Sequence, residues 1–368
     1  MRPITNRFYP RFLAFLGGLA AAAAAAGAGD SGEFYVNTYR GLGALSPPGL
    51  RAAAMGGGGR GLADGAASLG RNPAALGALG GSEFMADLGY DWLDDGYDDA
   101  GQTTFRLGGA VNLERWGGTG RANQALGGWL DTRKFTDAAG SGMARDQTGI
   151  LAAYGLQLTN DLLGGVSVGI FDGSWTSGDF SPVPGRTLSL DRGFTGGDFK
   201  LGGLYRLADD LTLGGTLTYG LGSLRERAAY AAGSGTGSLR RLGAGFGAAR
   251  QYGEDTLFAG DLWFERVSSS LSGTLDERAS AWGLSLGVEQ RVIPETLALR
   301  GGLYYDHVSY TGSSPLGHAL VENGSFGKGR FGVTAGAGVR LYSFNLGYSL
   351  DVNSGGDVKN LLDVSAQW

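Results

Sequence analysis

Strict alternation of apolar and polar positions runs through most of the chain between residue 81 and its end. In the segment LTLGGTLTYGLG, residues 211–222, leucine, tyrosine and one glycine occupy alternate positions, and threonine and glycine occupy the others. Such a pattern predicts a β-strand with two unlike faces. A strand of about a dozen residues is about twice as long as the 5–6 residues typical of soluble proteins. Because one face is apolar and the other is polar, the two faces are expected to contact different surroundings.

The alternation recurs often enough to predict fourteen strands. Their approximate positions are 84–92, 105–113, 123–133, 148–158, 162–172, 199–207, 211–222, 242–246, 258–264, 282–288, 297–305, 331–341, 344–352 and 362–368. The connections after strands 2, 4, 6, 8, 10 and 12 are short, whereas those after strands 3, 5, 7, 9 and 11 are longer, up to a predicted loop at 173–197. An even number of strands with short turns at one end and long loops at the other is typical of bacterial outer-membrane barrels.

The sequence therefore predicts an all-β fold, a transmembrane antiparallel β-barrel of about 14 strands over residues 81–368. The leucine-rich face would contact lipid and the threonine- and glycine-rich face would line the lumen. The sheet must close, because backbone groups inside a bilayer have no water to bond. A soluble β-sandwich is the alternative, and charges at predicted inner-face positions argue against it: Arg106, Lys200, Arg300, Arg340 and Asp363.

The N-terminus has the composition of an export signal. Residues 1–28 begin with Arg2, Arg7 and Arg11, continue through an apolar run over 12–26 and end in the small residues AGA. This order predicts a secretory signal peptide, with a membrane anchor as the alternative. The chain has no cysteine and a sequence pI of about 5.2. Disulfides therefore do not stabilise it, and nucleic acid is not an expected partner.

Residues 29–80 do not alternate and consist largely of glycine, alanine and leucine. So short a segment could hardly bury enough apolar surface to fold alone. A barrel of fourteen strands has a lumen wide enough to hold it. The sequence therefore predicts that residues 29–80 form a plug inside the barrel.

Part of this segment carries a resemblance to a known family. The run RAAAMGGGGRGLADGAASLGRNPAAL, residues 51–76, resembles the N-terminal motif of the FadL family of outer-membrane barrels, which transport long-chain fatty acids and other hydrophobic compounds. PorV/PorQ-type barrels are relatives of that family. The chain departs from many relatives at Gly65, where they have a second acid. The shared residues are Met55, Gly56, Gly57, Ala63, Asp64, Asn72, Pro73, Ala74 and Leu76.

The resemblance implies fourteen strands and an N-terminal hatch, with a gate formed by Met55, Gly56, Asp64 and the run Asn72, Pro73, Ala74. It also implies a kinked third strand that opens a lateral gap for an apolar ligand. Gly127 and Gly128 interrupt the alternation of that strand, which predicts a bulge or bend, with ordinary barrel curvature as the alternative. The last strand, ending in Trp368, resembles the segment that the barrel assembly machinery recognises.

The aromatic residues divide into two predicted groups. Most lie near strand ends, where outer-membrane barrels carry aromatic girdles. Trp129 and Tyr304 are the candidates for aromatic side chains that face the lumen and contact a ligand. The predicted girdle residues are Trp92, Trp116, Trp263, Trp282, Tyr305, Tyr342 and Trp368.

The sequence favours no enzyme, cofactor or metal site. The two histidines, His307 and His318, are too few for a tetrahedral zinc site in a chain without cysteine. Asp306 and His307 are adjacent in a predicted strand and should point to opposite faces, so they are not expected to form a catalytic dyad. The acidic stretch DDGYDD, residues 94–99, lacks the spacing of an EF-hand and is interpreted as a solvated outer loop that divalent cations could bridge to lipopolysaccharide.

These features favour an outer-membrane channel, in a Gram-negative bacterium, for passive passage of hydrophobic small molecules such as long-chain fatty acids, gated by the plug. The expected partners are the ligand, outer-membrane lipids and lipopolysaccharide, and the barrel assembly machinery through Trp368. Two alternatives stay open. The first is a PorV-like barrel that docks exported proteins for secretion or surface attachment, and the second is a general porin.

Overall fold

The computed structural model describes residues 49–94, 99–114, 123–137, 144–183, 186–228, 233–271, 275–312 and 325–368. The predicted signal peptide, residues 29–48 of the predicted plug, Trp116, His318 and the centre of the acidic loop at 95–98 lie outside the described residues. No helix in the described part of the chain is long and apolar enough to cross a bilayer.

Antiparallel strands form almost all of the described structure. Each strand pairs with its neighbours in sequence, and the last strand pairs with the first, so the sheet is closed. The strands are β1 (Glu83–Asp94), β2 (Asp99–Asn112), β3 (Gln124–Asp137), β4 (Ala144–Gln157), β5 (Leu162–Val183), β6 (Arg186–Ala208), β7 (Leu211–Ala228), β8 (Gly233–Tyr252), β9 (Thr256–Leu271), β10 (Leu275–Ile293), β11 (Leu297–Gly312), β12 (Ser325–Leu341), β13 (Phe344–Asn353) and β14 (Val358–Gln367). The predicted closed antiparallel barrel of fourteen strands is confirmed.

The barrel has two unlike ends, named here by their connections. Turns such as Asp209–Asp210 and Tyr342–Ser343 join strands at the short-turn end, and the opposite end is the long-loop end. The first and last strands meet at the short-turn end, where the backbones of Ser82 and Trp368 exchange two hydrogen bonds of 2.9 and 3.0 Å. The terminal tryptophan therefore completes the seam of the barrel.

Several strands extend well beyond the predicted membrane crossing. The predicted loop at 173–197 is wrong for the described residues, because β5 reaches Val183 and β6 starts at Arg186, with paired residues along most of that length. Outside the lipid, a hairpin needs backbone pairing but no apolar face. Its strands therefore continue without the alternation on which the sequence prediction relied.

The two faces of the wall differ as predicted. Outward side chains such as Ile150, Ile170 and Leu217 expose 62%, 65% and 60% of their surface, which is typical of an apolar wall against lipid. Inward positions hold the buried Arg106, whereas Arg340 lies exposed at the short-turn end. One predicted girdle residue is placed differently. Trp263 faces inward, since its neighbours in β9 face outward and its ring lies over inward-facing Gly283.

Residues 49–80, named here the N-terminal segment, lie inside the wall. The segment contains a short helix α1 (Leu50–Ala54) and two 3₁₀ helices (Gly65–Ser68 and Pro73–Ala78). Helix α1 contacts β11–β14, the first 3₁₀ helix contacts β1 and β2, and the second contacts β3–β6. The segment therefore reaches most of the circumference near the short-turn end.

Candidate functional site

The wall approaches the N-terminal segment most closely at a ring of inward-facing glycines, named here the glycine belt. A Cβ atom at any of these positions would lie 3.0 Å or less from an atom of the segment. Glycine allows this approach because it has no side chain to displace. The belt consists of Gly127, Gly155, Gly165, Gly202, Gly214, Gly245, Gly247, Gly287, Gly302, Gly336 and Gly347.

Asn72 fastens one side of the segment to the wall. It is fully buried, and its side-chain amide donates hydrogen bonds to the carbonyl oxygens of Arg60 (2.8 Å) and of Gly203 in β6 (3.1 Å). Its side-chain oxygen accepts from the backbone N–H of Ala74 at 3.2 Å, which caps the 3₁₀ helix that starts at Pro73. The side chain thus bonds backbone groups of both the segment and the wall, and Pro73 and Ala74 are buried beside it.

An ion-pair chain fastens the other side. Arg51 of α1 bonds Asp64 at 2.5 Å and Glu289 of β10 at 2.7 Å, and Glu289 also accepts from Arg300 of β11 at 2.7 Å. Burial alone would lower the pKa of Arg51, but the two carboxylates outweigh it and raise the pKa above its ordinary value. The guanidinium therefore stays charged and links the segment to the wall.

A third attachment centres on Asp261 of β9, which is almost fully buried. Its carboxylate accepts from the backbone N–H of Gly59 at 3.1 Å and from the guanidinium groups of Arg60 at 3.0 Å and Arg71 at 3.3 Å. Burial lowers the pKa of Arg71 to about 10, against the opposing effect of Asp261. The arginine is therefore still a cation at neutral pH, and two cations share one buried anion.

Met55 and Gly56 lie where the segment crosses β10–β12. Met55 is fully buried, and its backbone lies against Gly287 and Gly302. Gly56 has a φ of +71°, which favours glycine, and its N–H donates to the Thr334 hydroxyl at 2.8 Å. Both residues are therefore held by the wall.

A charged layer lines the wall on the long-loop side of the segment. Arg241 of β8 bonds Asp198 at 2.8 Å and Glu265 at 2.6 Å. Arg330 of β12 bonds Asp306 at 3.2 Å and also pairs with the carboxylate of Asp357. These ion pairs join nearby strands along the wall. Together with the ion pairs to the N-terminal segment, they hold charged side chains against the inner face of the wall.

The predicted lumen aromatics both face inward and lie in this layer. Arg106, which pairs with Asp87, lies 4.7 Å above the ring of Trp129, a cation–π arrangement. The hydroxyl of Tyr304 donates to Asp351 at 3.0 Å. The two rings belong to β3 and β11 and are held by different partners, so the structure does not bring them together. Their contact with a ligand stays a prediction.

Inward side chains change from charged to apolar toward the long-loop end. Seven buried residues, one on each strand from β5 to β11, form what we name the apolar collar. Gly173 and Gly196 leave room for its two phenylalanine rings, whose centroids lie 6.2 Å apart. The collar consists of Phe171, Phe194, Leu224, Leu239, Val267, Ala279 and Val308.

A cavity of about 370 Å³ lies at the opposite, short-turn end. It is lined by residues of α1, the first 3₁₀ helix, β10–β14 and β1, among them Arg51, Asp64, Asp363 and Arg340. Space is therefore present beside the ion-pair chain, where the segment is fastened by side chains.

The third strand does not contain the predicted bulge. Residues 124–136 of β3 pair in continuous register with β4, and residues 125–137 pair in the same way with β2. Gly127 faces Leu69 of the segment, and Gly128 faces outward. The glycine at 127 thus serves the close approach of the segment, and the wall is closed on both sides of β3.

Asp306 and His307 point to opposite faces, as predicted. Asp306 pairs with Arg330 in the lumen, whereas His307 lies outside with its ring 6.2 Å from that of Trp282. The described residues contain no group of three or more metal-binding side chains.

Sequence reasoning missed the attachments at Asp261 and Glu289 and the whole apolar collar. Both acids stand at inner-face positions of strands whose apolar faces were identified, so strand parity was the signal that could have found them. At the level of the collar the outward side chains are polar and the inward ones are apolar, which is the opposite of the pattern in the rest of the wall.

Comparisons with known proteins agree with this architecture. No protein-family model matches the sequence, and no curated protein matches it. Solved structures do: a Pseudomonas aeruginosa FadL homologue aligns with a TM-score of 0.58 at 14% identity, over 89% of this chain and 99% of that chain. The fold of the chain is thus that of FadL-type outer-membrane barrels.

Two further solved structures share this fold. The Pseudomonas putida toluene transporter TodX aligns with a TM-score of 0.55 at 16% identity, over 88% of this chain and 98% of that chain. The Ralstonia pickettii toluene transporter TbuX aligns with a TM-score of 0.52 at 16% identity, over 89% of this chain and all of that chain (100%). At sequence identities this low, the similarity shows a shared fold and no more.

Proposed function

We propose that the chain is an outer-membrane channel for passive passage of hydrophobic small molecules. The observation that carries the proposal is the apolar collar, a set of apolar side chains that face the lumen. An apolar ligand would lose its contact with water there, at a gain of about 25 cal/mol per Å² of apolar surface buried. The solved channels with this fold include toluene transporters and a FadL homologue, which supports the same class of ligand.

The ligand would enter from the long-loop end and reach the collar first. It would then meet the charged layer, whose ion pairs join residues of the wall to one another. The N-terminal segment is the last obstacle, and in this proposal it acts as the gate.

The gate opens at α1 rather than at Asn72–Ala74. The sequence favoured a rearrangement around Asn72–Ala74, but that run is buried and bonded to both the segment and β6. The ion-pair chain of Arg51, Asp64 and Glu289 borders the cavity at the short-turn end. Movement of α1 into that cavity would open a path, while Asn72 keeps the segment attached. Since the wall is closed at β3, the path leads out at the short-turn end.

The test is binding and uptake of two probes, a fluorescent long-chain fatty acid and radiolabelled toluene. The double variant Leu224→Asn, Leu239→Asn places two amides in the collar on side chains of similar branched shape. We expect its affinity for a bound probe to fall by about 10-fold or more, since each buried side chain supplies roughly 1.5–3 kcal/mol. Ser223→Asn, outward and adjacent to Leu224 in β7, is the matched control and should bind as the wild type does.

Heat-modifiable migration in electrophoresis verifies that each variant is a folded barrel. Equal binding by the double variant, or no saturable binding of either probe, would contradict the proposal. Steady ion conductance of the wild-type barrel in planar bilayers would favour a general porin instead. Copurification of exported proteins without binding of either probe would favour a docking barrel.

A further inference from the structure

The outer wall of β6–β10 carries an apolar groove. It has a volume of about 700 Å³ and is lined by apolar side chains such as Leu217, Phe246 and Leu262. Its floor includes Gly203 and Gly215, which pair directly across β6 and β7. A Cβ atom added at either glycine would meet nothing within 4 Å. The groove is therefore open to the surrounding medium and has room for an acyl chain.

A basic pocket lies on the same wall, toward the long-loop end. It is lined by three exposed arginines on adjacent strands, Arg240 (β8), Arg266 (β9) and Arg278 (β10). Ser268 pairs directly with both Arg240 and Arg278, and Arg266 is two residues along β9, a distance of about 7 Å. Within the described chain, Arg240 and Arg266 form no ion pair.

The pocket and the groove are continuous along their strands. On β8 the outward positions run from Arg240 through Leu242 and Ala244 to Phe246, and on β9 they run from Arg266 through Phe264 to Leu262. On β10 the outward ring of Trp282 stands between the arginine and the apolar positions. Tryptophan at such a boundary is typical of the headgroup level of a membrane.

We propose that this surface of β6–β10 binds one phosphorylated lipid of the outer leaflet. The guanidinium groups of Arg240 and Arg266, with Arg278 beside them, would bind the headgroup phosphates, because the planar fork of arginine matches phosphate oxygens. An acyl chain would lie in the groove over Gly203 and Gly215. The inference rests on the outer-membrane location in the proposed function, but not on transport, since every contact is on the outside of the wall.

The experiment is native mass spectrometry of the full chain in detergent with three probes: diphosphorylated lipid A, its dephosphorylated form and inorganic phosphate. We expect the wild type to retain the phosphorylated lipid in preference to the other two. Arg240→Gln with Arg266→Gln should weaken its binding by about 30-fold, since each arginine at an anionic lipid surface contributes a factor of about five. Gly215→Leu should also weaken it, by filling the groove.

The matched control is Arg206→Gln with Arg250→Gln, which removes two exposed arginines at the short-turn end. It should bind the phosphorylated lipid as the wild type does. Equal retention of the dephosphorylated form, or unchanged binding by the arginine variant, would overturn the proposal. Displacement of the lipid by equimolar inorganic phosphate would overturn its lipid part. Ligand binding at the collar is measured in a separate assay, so each proposal can fail without affecting the test of the other.

Discussion

The two ends of the lumen belong to one closed wall but differ in the size of their inward side chains. Toward the short-turn end, the inner face carries the glycine belt, and the N-terminal segment occupies the space that side chains would take. Toward the long-loop end, the inner face carries the phenylalanines, leucines and valines of the apolar collar. The comparison teaches that the inward glycines of the belt mark where the N-terminal segment lies against the wall, whereas larger apolar residues line the wall beyond the segment.

The largest effect is expected at Gly214 of β7, and the adjacent Gly215 provides the control. Gly214 faces the carbonyl of Arg60, and Gly215 faces outward with nothing within 4 Å. Gly214→Val should destabilise the closed state of the segment by about 3 kcal/mol or more, because the overpacked site cannot relax against backbone. Gly215→Val is the control and should leave it unchanged. Protease sensitivity within residues 49–80 measures the difference, and equal sensitivity of the two variants would refute the role of the belt.

A smaller effect is expected at the ion-pair chain. Glu289→Gln keeps the volume but removes the anion between Arg51 and Arg300, at a cost of roughly 3 kcal/mol for a buried pair. The variant should loosen α1 and speed passage of a ligand through the barrel. Asp210→Asn breaks the exposed pair with Arg250 and should cost about 0–1 kcal/mol. Thermal unfolding and uptake together test this, and a variant with wild-type uptake would place the gate elsewhere.

Asn72→Ala should have the smallest effect of the three. It removes three hydrogen bonds of the segment, and because the space left by the amide can hold a water molecule that bonds the freed groups, we expect a total loss of about 2 kcal/mol. This variant differs from Glu289→Gln in the part of the N-terminal segment that becomes less protected. Hydrogen exchange should rise around Pro73–Ala78 and stay unchanged in α1. A rise in α1 alone would contradict the assignment of Asn72 as the anchor.

The barrel could be predicted because its wall is repetitive. Alternation in segments such as 211–222 predicts a strand with one apolar face. Fourteen such segments predict a closed sheet, because strands in a bilayer cannot leave an edge unpaired. The extensions of β5 and β6 could not be predicted in the same way, because a strand in water needs no apolar face.

The site was predicted less completely than the wall. Asn72, Asp64 and Met55 stand out through a resemblance; in the structure Asn72 and Met55 are buried, and Asp64 pairs with Arg51. Asp261 and Glu289 depend on which wall residue meets which part of a non-repetitive segment, and no local pattern encodes that meeting. At Gly127 the sequence predicts a bulge or bend, or ordinary barrel curvature, because it does not show Leu69 opposite this glycine.

The seam between Ser82 and Trp368 has a consequence for the order of assembly. It joins the first strand to the last, so it can form only when the whole chain is present. The N-terminal segment directly precedes the first strand and touches the wall around its circumference. Its full set of contacts therefore exists only once the seam is closed, and an open sheet could hold the segment on one side only. The segment can therefore be fully seated only when the wall closes, and a chain that cannot close the seam should also hold the segment loosely.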